Sequence, residues 1–204
     1  MGVGSYPRMC VSCVAAALSA AVCSCLTATT AGGEEYRYNQ VPFTSVEVEG
    51  GFWGPGFRTN RDVTLWHDFR RCEDTGRIAN FSRAGGLGAG RHQGHRYDDS
   101  DVFKVIEGAA YALAQRHSEK LDRYLDDLTA KIAAAQEDDG YVFTARTLGE
   151  RDREVGARRW SHLRASHELY NAGHLYEAAA AHYRATSKRS LLDVGPGSKM
   201  ADLG

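Results

Sequence analysis

An approximate internal repeat limits the fold of this chain more than any other feature. The segment VIEGAAYALAQRHSEKLDRYL, residues 105–125, aligns with HLYEAAAAHYRATSKRSLLDV, residues 174–194, at an offset of about 70. Glu107 falls on Glu177, Ala109-Ala110 on Ala179-Ala180, and Leu121 on Leu191. Each copy reads as an alanine-rich helix, a short break and a leucine-rich helix. In the first copy Val102, Val105, Ile106, Ala109, Ala110 and Leu113 recur at helical spacing. After a break at His117-Ser118, Leu121, Leu125, Leu128 and Ile132 form a second stripe. Alanine lets helix backbones approach closely, so the repeat predicts stacked helical hairpins, either an open solenoid or a closed α/α toroid. Two or three hairpins do not close a ring and leave apolar faces uncovered. More chain is therefore expected after residue 204, and the uncovered face makes self-association an expectation too.

The predicted class is all-α, stacked hairpins incomplete at the C-terminus, with a short β-like N-terminal arm. The first residues read as a separate segment. Arg8 is the only charge before Glu34, and VSCVAAALSAAVCSCL follows it. A basic start, an apolar run shorter than the ~20 residues that span a bilayer, and small residues at Thr29-Thr30-Ala31 describe a secretory leader. This gives a leader at 1–31, an extended arm at 32–56 and a helical domain at 57–204. Lipid attachment at Cys25 is the alternative fate of the leader. The arm alternates at Val46, Val48 and Phe52 before Gly50-Gly51 and nearby turn residues interrupt it. Val63, Trp66 and Phe69 then mark a helix face that Gly76 stops. Residues 83–95 are Gly-rich, but no apolar strand precedes them and no Gly-Lys-Ser/Thr follows, so a surface loop fits better than a phosphate loop. Ser100 is placed to cap the helix that starts near Asp99. Gly140 predicts a tight turn into an extended piece. Pro196, within Gly195-Pro196-Gly197, predicts the end of the second leucine-rich helix.

The chain has five cysteines. Leader cleavage near Ala31 removes all but Cys72, which excludes a disulfide framework and an all-cysteine zinc cluster. The net charge is −1, and the basic residues are scattered among acids. Nothing points to nucleic acid, and no integral membrane span is expected.

The chemistry concentrates on RASHELYNAGHLYEAAAAHYRAT, residues 164–186. His167, Asn171 and His174 stand at i, i+4 and i+7 of a helix. Helical zinc sites place two imidazoles at i and i+4. Here Asn171 takes the second place, and i to i+7 is about 10.5 Å along the axis, too far for one ion. Hydrogen bonds to neighbouring helices are the plain alternative, above all for His174. His167 sits at a helix start after Ser166, where an imidazole can bond a ligand hydroxyl. Asp98, Asp99 and Asp101 form the other polar group. Glycoside hydrolysis needs paired carboxyls, while aspartates at a helix start are also favoured by the dipole alone.

Six motifs occur in order: FTSVEVEGGFWGP, CEDTGRIANF, DSDVFKVIEGAAYALA, IAAAQEDDGYVFT, SHELYNAGHLYEAAAAHYRAT and KRSLLDV. Together they resemble the N-terminal part of glycoside hydrolase family 127, the β-L-arabinofuranosidases, over about residues 41–194. The resemblance implies an (α/α)6 barrel followed by β-sandwich domains, in a secreted or periplasmic exo-acting enzyme. It would remove terminal L-arabinofuranose, with retention, from an arabinose-containing plant-type glycan. It implies a cysteine nucleophile, a glutamate acid/base, and a zinc ion held by cysteines and a glutamate in the full-length protein. It assigns His167 to the sugar subsite, with Asp99, Asp101 and His174 as further candidates.

The sequence departs from the family in places. Nothing in residues 33–204 matches the cysteine cluster or the catalytic glutamate, so neither catalytic residues nor zinc ligands are expected in this chain. Val105 stands where relatives often carry Trp, and GPGS interrupts a helix at 195–198. The expectation is a fragment without activity of its own. Two other readings stay open: a non-catalytic carbohydrate-binding helical module, and a polysaccharide lyase using His167 or Tyr170 near Asn171 as base.

Overall fold

The computed structural model describes residues 38–149 and 154–194. The candidate leader at 1–31 and the Gly-Pro-Gly run lie outside the described residues. The chain divides into two units, Met1–Gln40 and Val41–Gly204; every element below belongs to the second.

Among the described residues, eight helices carry the fold. α1 (Trp53–Thr59) runs through a π turn (Asn60–Thr64) into α2 (Leu65–Asp74), followed by α3 (Arg77–Ala84). The repeat begins with α4 (Asp99–Gln115) and α5 (Glu119–Ala134). Two one-turn helices, α6 (Thr144–Thr147) and α7 (Leu163–Ser166), precede the long α8 (Glu168–Thr186). Among the described residues there is no strand, and no helix is long and apolar enough to cross a membrane.

The arm is extended at Val46, as expected, but among the described residues it pairs with no strand. Phe43–Ser45 makes a 3-10 turn, and no second strand lies beside residues 46–49. A lone strand needs a partner for its backbone groups. Here a side-chain amide substitutes: Gln115 Nε2 donates to Val46 O at 2.6 Å, and Gln115 Oε1 accepts from Val48 N at 3.3 Å.

The face predicted from Val63, Trp66 and Phe69 is rotated. The π turn adds a residue to one turn, which leaves Val63 61% exposed. The buried row is Leu65, Phe69 and Cys72 instead, at i, i+4 and i+7. Trp66 lies half-buried, its ring 5.7 Å from Tyr124. Gly76 does stop the helix, at φ +77°, a left-handed conformation that suits glycine.

Ser100 does not cap α4. It lies inside the first turn, where its hydroxyl donates to Tyr97 O at 2.8 Å. Ser118 is the cap that forms, accepting from Leu121 N at 3.4 Å to start α5.

The core gathers Phe69, Phe81, Phe103, Ile106, Leu121, Leu125, Leu128 and Ile132, none more than 2% exposed. Behind it α4 packs along α8, where Ala109, Ala110, Ala178 and Ala179 are sealed. The two helices run parallel. Asn171, near the start of α8, accepts from Ser100 N near the start of α4, 71 residues away. The repeat offset is thus also the packing register. The second leucine-rich helix is not seen among the described residues. Residues 190–194 form a turn that still delivers Leu191 and Val194 to the core.

Candidate functional site

The site is built at the N-terminal ends of α4 and α8. The helix predicted over 164–186 breaks at His167, which takes φ +62° between α7 and α8. Non-glycine residues pay roughly 1–2 kcal/mol for this conformation, so the surroundings must impose it. Asn171 N donates back to His167 O at 2.9 Å. Next door, the carboxylate of Glu168 is buried and fully engaged. It accepts from Tyr141 Oη at 2.6 Å, from Ser166 Oγ at 2.9 Å and from Trp160 N at 3.1 Å. The Arg146 Nε stands 3.7 Å away. Burial and the facing carboxylate push the Tyr141 phenol well above its ordinary range. These bonds tie residues 141, 146, 160 and 166 to one buried acid and so fix the backbone on both sides of His167.

The imidazole of His167 is half-buried. Its Nδ1 lies 2.8 Å from Ala165 O. A carbonyl can only accept, so Nδ1 carries the hydrogen and Nε2 presents a lone pair. Around it runs a string of rings. His95 stacks on Tyr97 at 5.2 Å, Tyr97 meets His167 at 5.1 Å, His167 meets Tyr170 at 5.7 Å, and Tyr170 meets His174 at 4.6 Å. The Lys104 ammonium sits 4.9 Å over the Tyr170 ring. Apolar ring bodies with polar tips suit a ligand that has both C–H faces and hydroxyls.

The expected polar edge is therefore rearranged. His167 and His174 are half-buried on the ring wall, whereas Asn171 is fully buried. It clamps the preceding loop, donating through Nδ2 to Arg96 O at 3.3 Å while Oδ1 accepts from Ser100 N. Asp99 is not available to a ligand. It is 1% exposed, and both its oxygens accept from Thr144, from the backbone N at 2.8 Å and from Oγ1 at 2.5 Å. Burial pushes its carboxyl up to about 6, against the pull of the two Thr144 bonds. Asp98 is equally buried and pairs with Arg77 at 3.3 Å. Asp101 remains partly open, bonded to Arg77 Nε at 3.0 Å and 3.6 Å from Lys104. A cavity of about 960 Å3 lies elsewhere, between the arm, α1 and the C-terminal half of α4, and none of the candidate site residues lines it.

Metal chemistry divides in two. Cys72 is the one cysteine among the described residues, buried, with its thiol pushed up to about 11 by desolvation. That is the reverse of what a thiolate ligand needs, so the described residues do not fit a cysteine-held zinc ion. Two groups of nitrogen and oxygen donors do come together: Glu107, His174 and Glu177, and Asp122, Asp126 and His182. In the second, the Lys188 ammonium already bonds both aspartates at 2.7 Å.

Glu168, Tyr141, Arg146, Tyr97 and Lys104 were not singled out in the sequence. The signal for Glu168 was the Ser-x-Glu spacing around His167; the others come from distant segments and left none.

The sequence pattern of the Beta-L-arabinofuranosidase, GH127 catalytic domain matches residues 45–202. A non-reducing end β-L-arabinofuranosidase of Bifidobacterium longum subsp. longum is 38% identical over 128 residues, covering 61% of this chain and 18% of that protein. A solved GH127 β-arabinofuranosidase superposes at a TM-score of 0.72 with 44% identity, over 80% of this chain and 26% of its own. A GH127 β-L-arabinofuranosidase from Geobacillus stearothermophilus T6 gives 0.69 with 35% identity, over 76% and 24%. The chain spans between 18% and 26% of the length of these relatives.

Proposed function

The chain belongs to the GH127 β-L-arabinofuranosidase catalytic-domain family, and from that premise we propose that it forms a sugar-recognition wall in a retaining glycoside hydrolase. The substrate in this reading is a terminal L-arabinofuranose in β-linkage, on an arabinose-containing glycan. The observation that carries it is the ring wall at the paired helix starts, inside the family match. His167 Nε2 accepts a hydroxyl, the Tyr97 and Tyr170 rings pack the C–H face of the sugar, and Lys104 donates to an oxygen. Glu168 touches no ligand. It positions His167.

The described residues include no thiol suited to nucleophilic attack, because burial keeps the Cys72 proton on. The division of labour follows: recognition here, bond cleavage on groups that the described residues do not supply. Export of the chain, through the leader-like residues 1–31, is part of the same proposal.

The test uses the 204-residue chain with a chromogenic β-L-arabinofuranoside and added zinc. We expect no turnover above background. We also expect saturation-transfer NMR signals from methyl β-L-arabinofuranoside that His167→Ala abolishes. Cysteine-dependent turnover would overturn the division of labour. Unchanged sugar signals in His167→Ala would overturn the site.

A further inference from the structure

We propose that Glu107, His174 and Glu177 form a divalent-cation site at the His174 end of the ring wall, distinct from any cysteine-held metal.

The geometry starts from the parallel packing of α4 and α8. The sealed alanines bring the two backbones close, and the repeat-equivalent glutamates, Glu107 and Glu177, then stand opposite each other at one level. His174, one turn before Glu177 on α8, adds an imidazole to the pair. One donor atom from each of the three lies within 4.8 Å of the others.

His174 Nδ1 is 3.0 Å from Glu177 Oε2. The atom is shielded from solvent and makes no hydrogen bond of acceptable geometry. With a proton on the imidazole this contact is an ion pair, and a cation can take that proton's place between the two atoms. Ligands about 2.1 Å from a first-row metal are separated by roughly 3.0 Å at right angles and 3.4 Å at tetrahedral angles.

Two further contacts orient the donors. Tyr111 Oη donates to Glu107 Oε1 at 2.6 Å, which leaves the other oxygen free and supplies the outer bond that ligating carboxylates commonly have. The Tyr170 ring meets the His174 ring edge-on at 4.6 Å and limits its rotation. Two carboxylates face one imidazole, with the Arg184 charge nearby. Among the described residues no lysine ion pair ties the two glutamates, in contrast to Lys188 between Asp122 and Asp126. Glu177 is 61% exposed and His174 22%, so solvent reaches the ion and at least one coordination position stays open. One nitrogen and two oxygens with an open position suit Zn2+, Co2+ or Mn2+ better than a soft ion.

The test is calorimetric titration of the 204-residue chain with Zn2+, paired with the absorption spectrum of the Co2+ form. One equivalent should bind, with d–d bands and no thiolate charge-transfer band. Glu177→Gln and Glu107→Gln should each weaken the affinity by tenfold or more, and Asp126→Asn should leave it unchanged. The exposed Glu177 can change without disturbing the core, and far-UV circular dichroism checks that the fold is kept. Failure to bind one equivalent, a thiolate band, or an affinity unchanged from the parent chain in either Glu→Gln variant would overturn the proposal. None of these outcomes depends on sugar binding.

Discussion

Removing the buried carboxylate of Glu168 should cost the fold a large part of its stability. Glu168→Ala deletes the acceptor for Tyr141 Oη, Ser166 Oγ and Trp160 N, and takes the negative charge from beside Arg146. Each buried donor left without a partner costs about 1–3 kcal/mol, and breaking a buried ion pair costs about 3–5 kcal/mol. The two overlap, because the same carboxylate serves all partners, so about 4 kcal/mol is expected. With a urea slope of about 2 kcal/mol per molar, the unfolding midpoint should fall by about 2 M. Tryptophan fluorescence reads it well, since Trp160 is one of the partners. Glu168→Gln should be nearly as harmful, because its amide hydrogens would face donors. A loss below about 1 kcal/mol would refute the reasoning. So would additivity with Tyr141→Phe: once Glu168 is gone, the unpaired Tyr141 hydroxyl is a burden, and removing it should cost nothing further.

Other expected outcomes follow from the same bookkeeping of buried groups. The Asp99 carboxyl is raised from 3.8 to about 6 by burial, so the folded state holds its proton more tightly than the unfolded one. Its contribution to stability is complete below about pH 3.8 and lost as pH rises through 6, on the order of 3 kcal/mol. Asp99→Asn should therefore flatten the pH dependence of the urea midpoint between pH 4 and 6. At Gly85 an added Cβ would stand 2.6 Å from Ala134 Cβ and 2.7 Å from its carbonyl carbon. Gly85→Ala should lower stability by about 2 kcal/mol in thermal melts, since backbone cannot yield cheaply. Ser187 ends α8 at φ +61°, and Ser187→Gly should raise stability by about 0.5–1 kcal/mol, seen as a melting temperature a few degrees higher.

The parts of the fold legible in the sequence were those carried by unbroken local periodicity. The stripes of α4 and α5 and the break before Ser118 needed only helical spacing. Two misreadings share one cause: periodicity was carried across a point where the helix changes. The π turn at Asn60–Thr64 rotates the face and exposes Val63. The left-handed turn at His167 does the same for the polar edge, sending Asn171 inward while His167 stays outside. Neither leaves a composition signal, since the residues are not glycine. Asp99 failed for another reason. An acid at a helix start looks solvated in sequence, and only Thr144, 45 residues on, supplies the donors that let it be buried.

The repeat held more than the sequence alone could release. An offset of about 70 says which residues are equivalent, but not that equivalents touch. If the two alanine-rich helices packed antiparallel, Ser100 would face the C-terminal end of α8 rather than Asn171. The bond from Ser100 to Asn171, 71 residues apart, decides for parallel packing. In a parallel stack of repeats the alignment offset becomes the contact offset. Glu107 then meets Glu177 by symmetry, and among the described residues no lysine ion pair ties the two carboxylates. Such a pair is destabilising unless a proton or a cation is shared. The Glu107, Glu177 and His174 juxtaposition is thus a consequence of the repeat itself, and the cation titration tests whether the chain uses it.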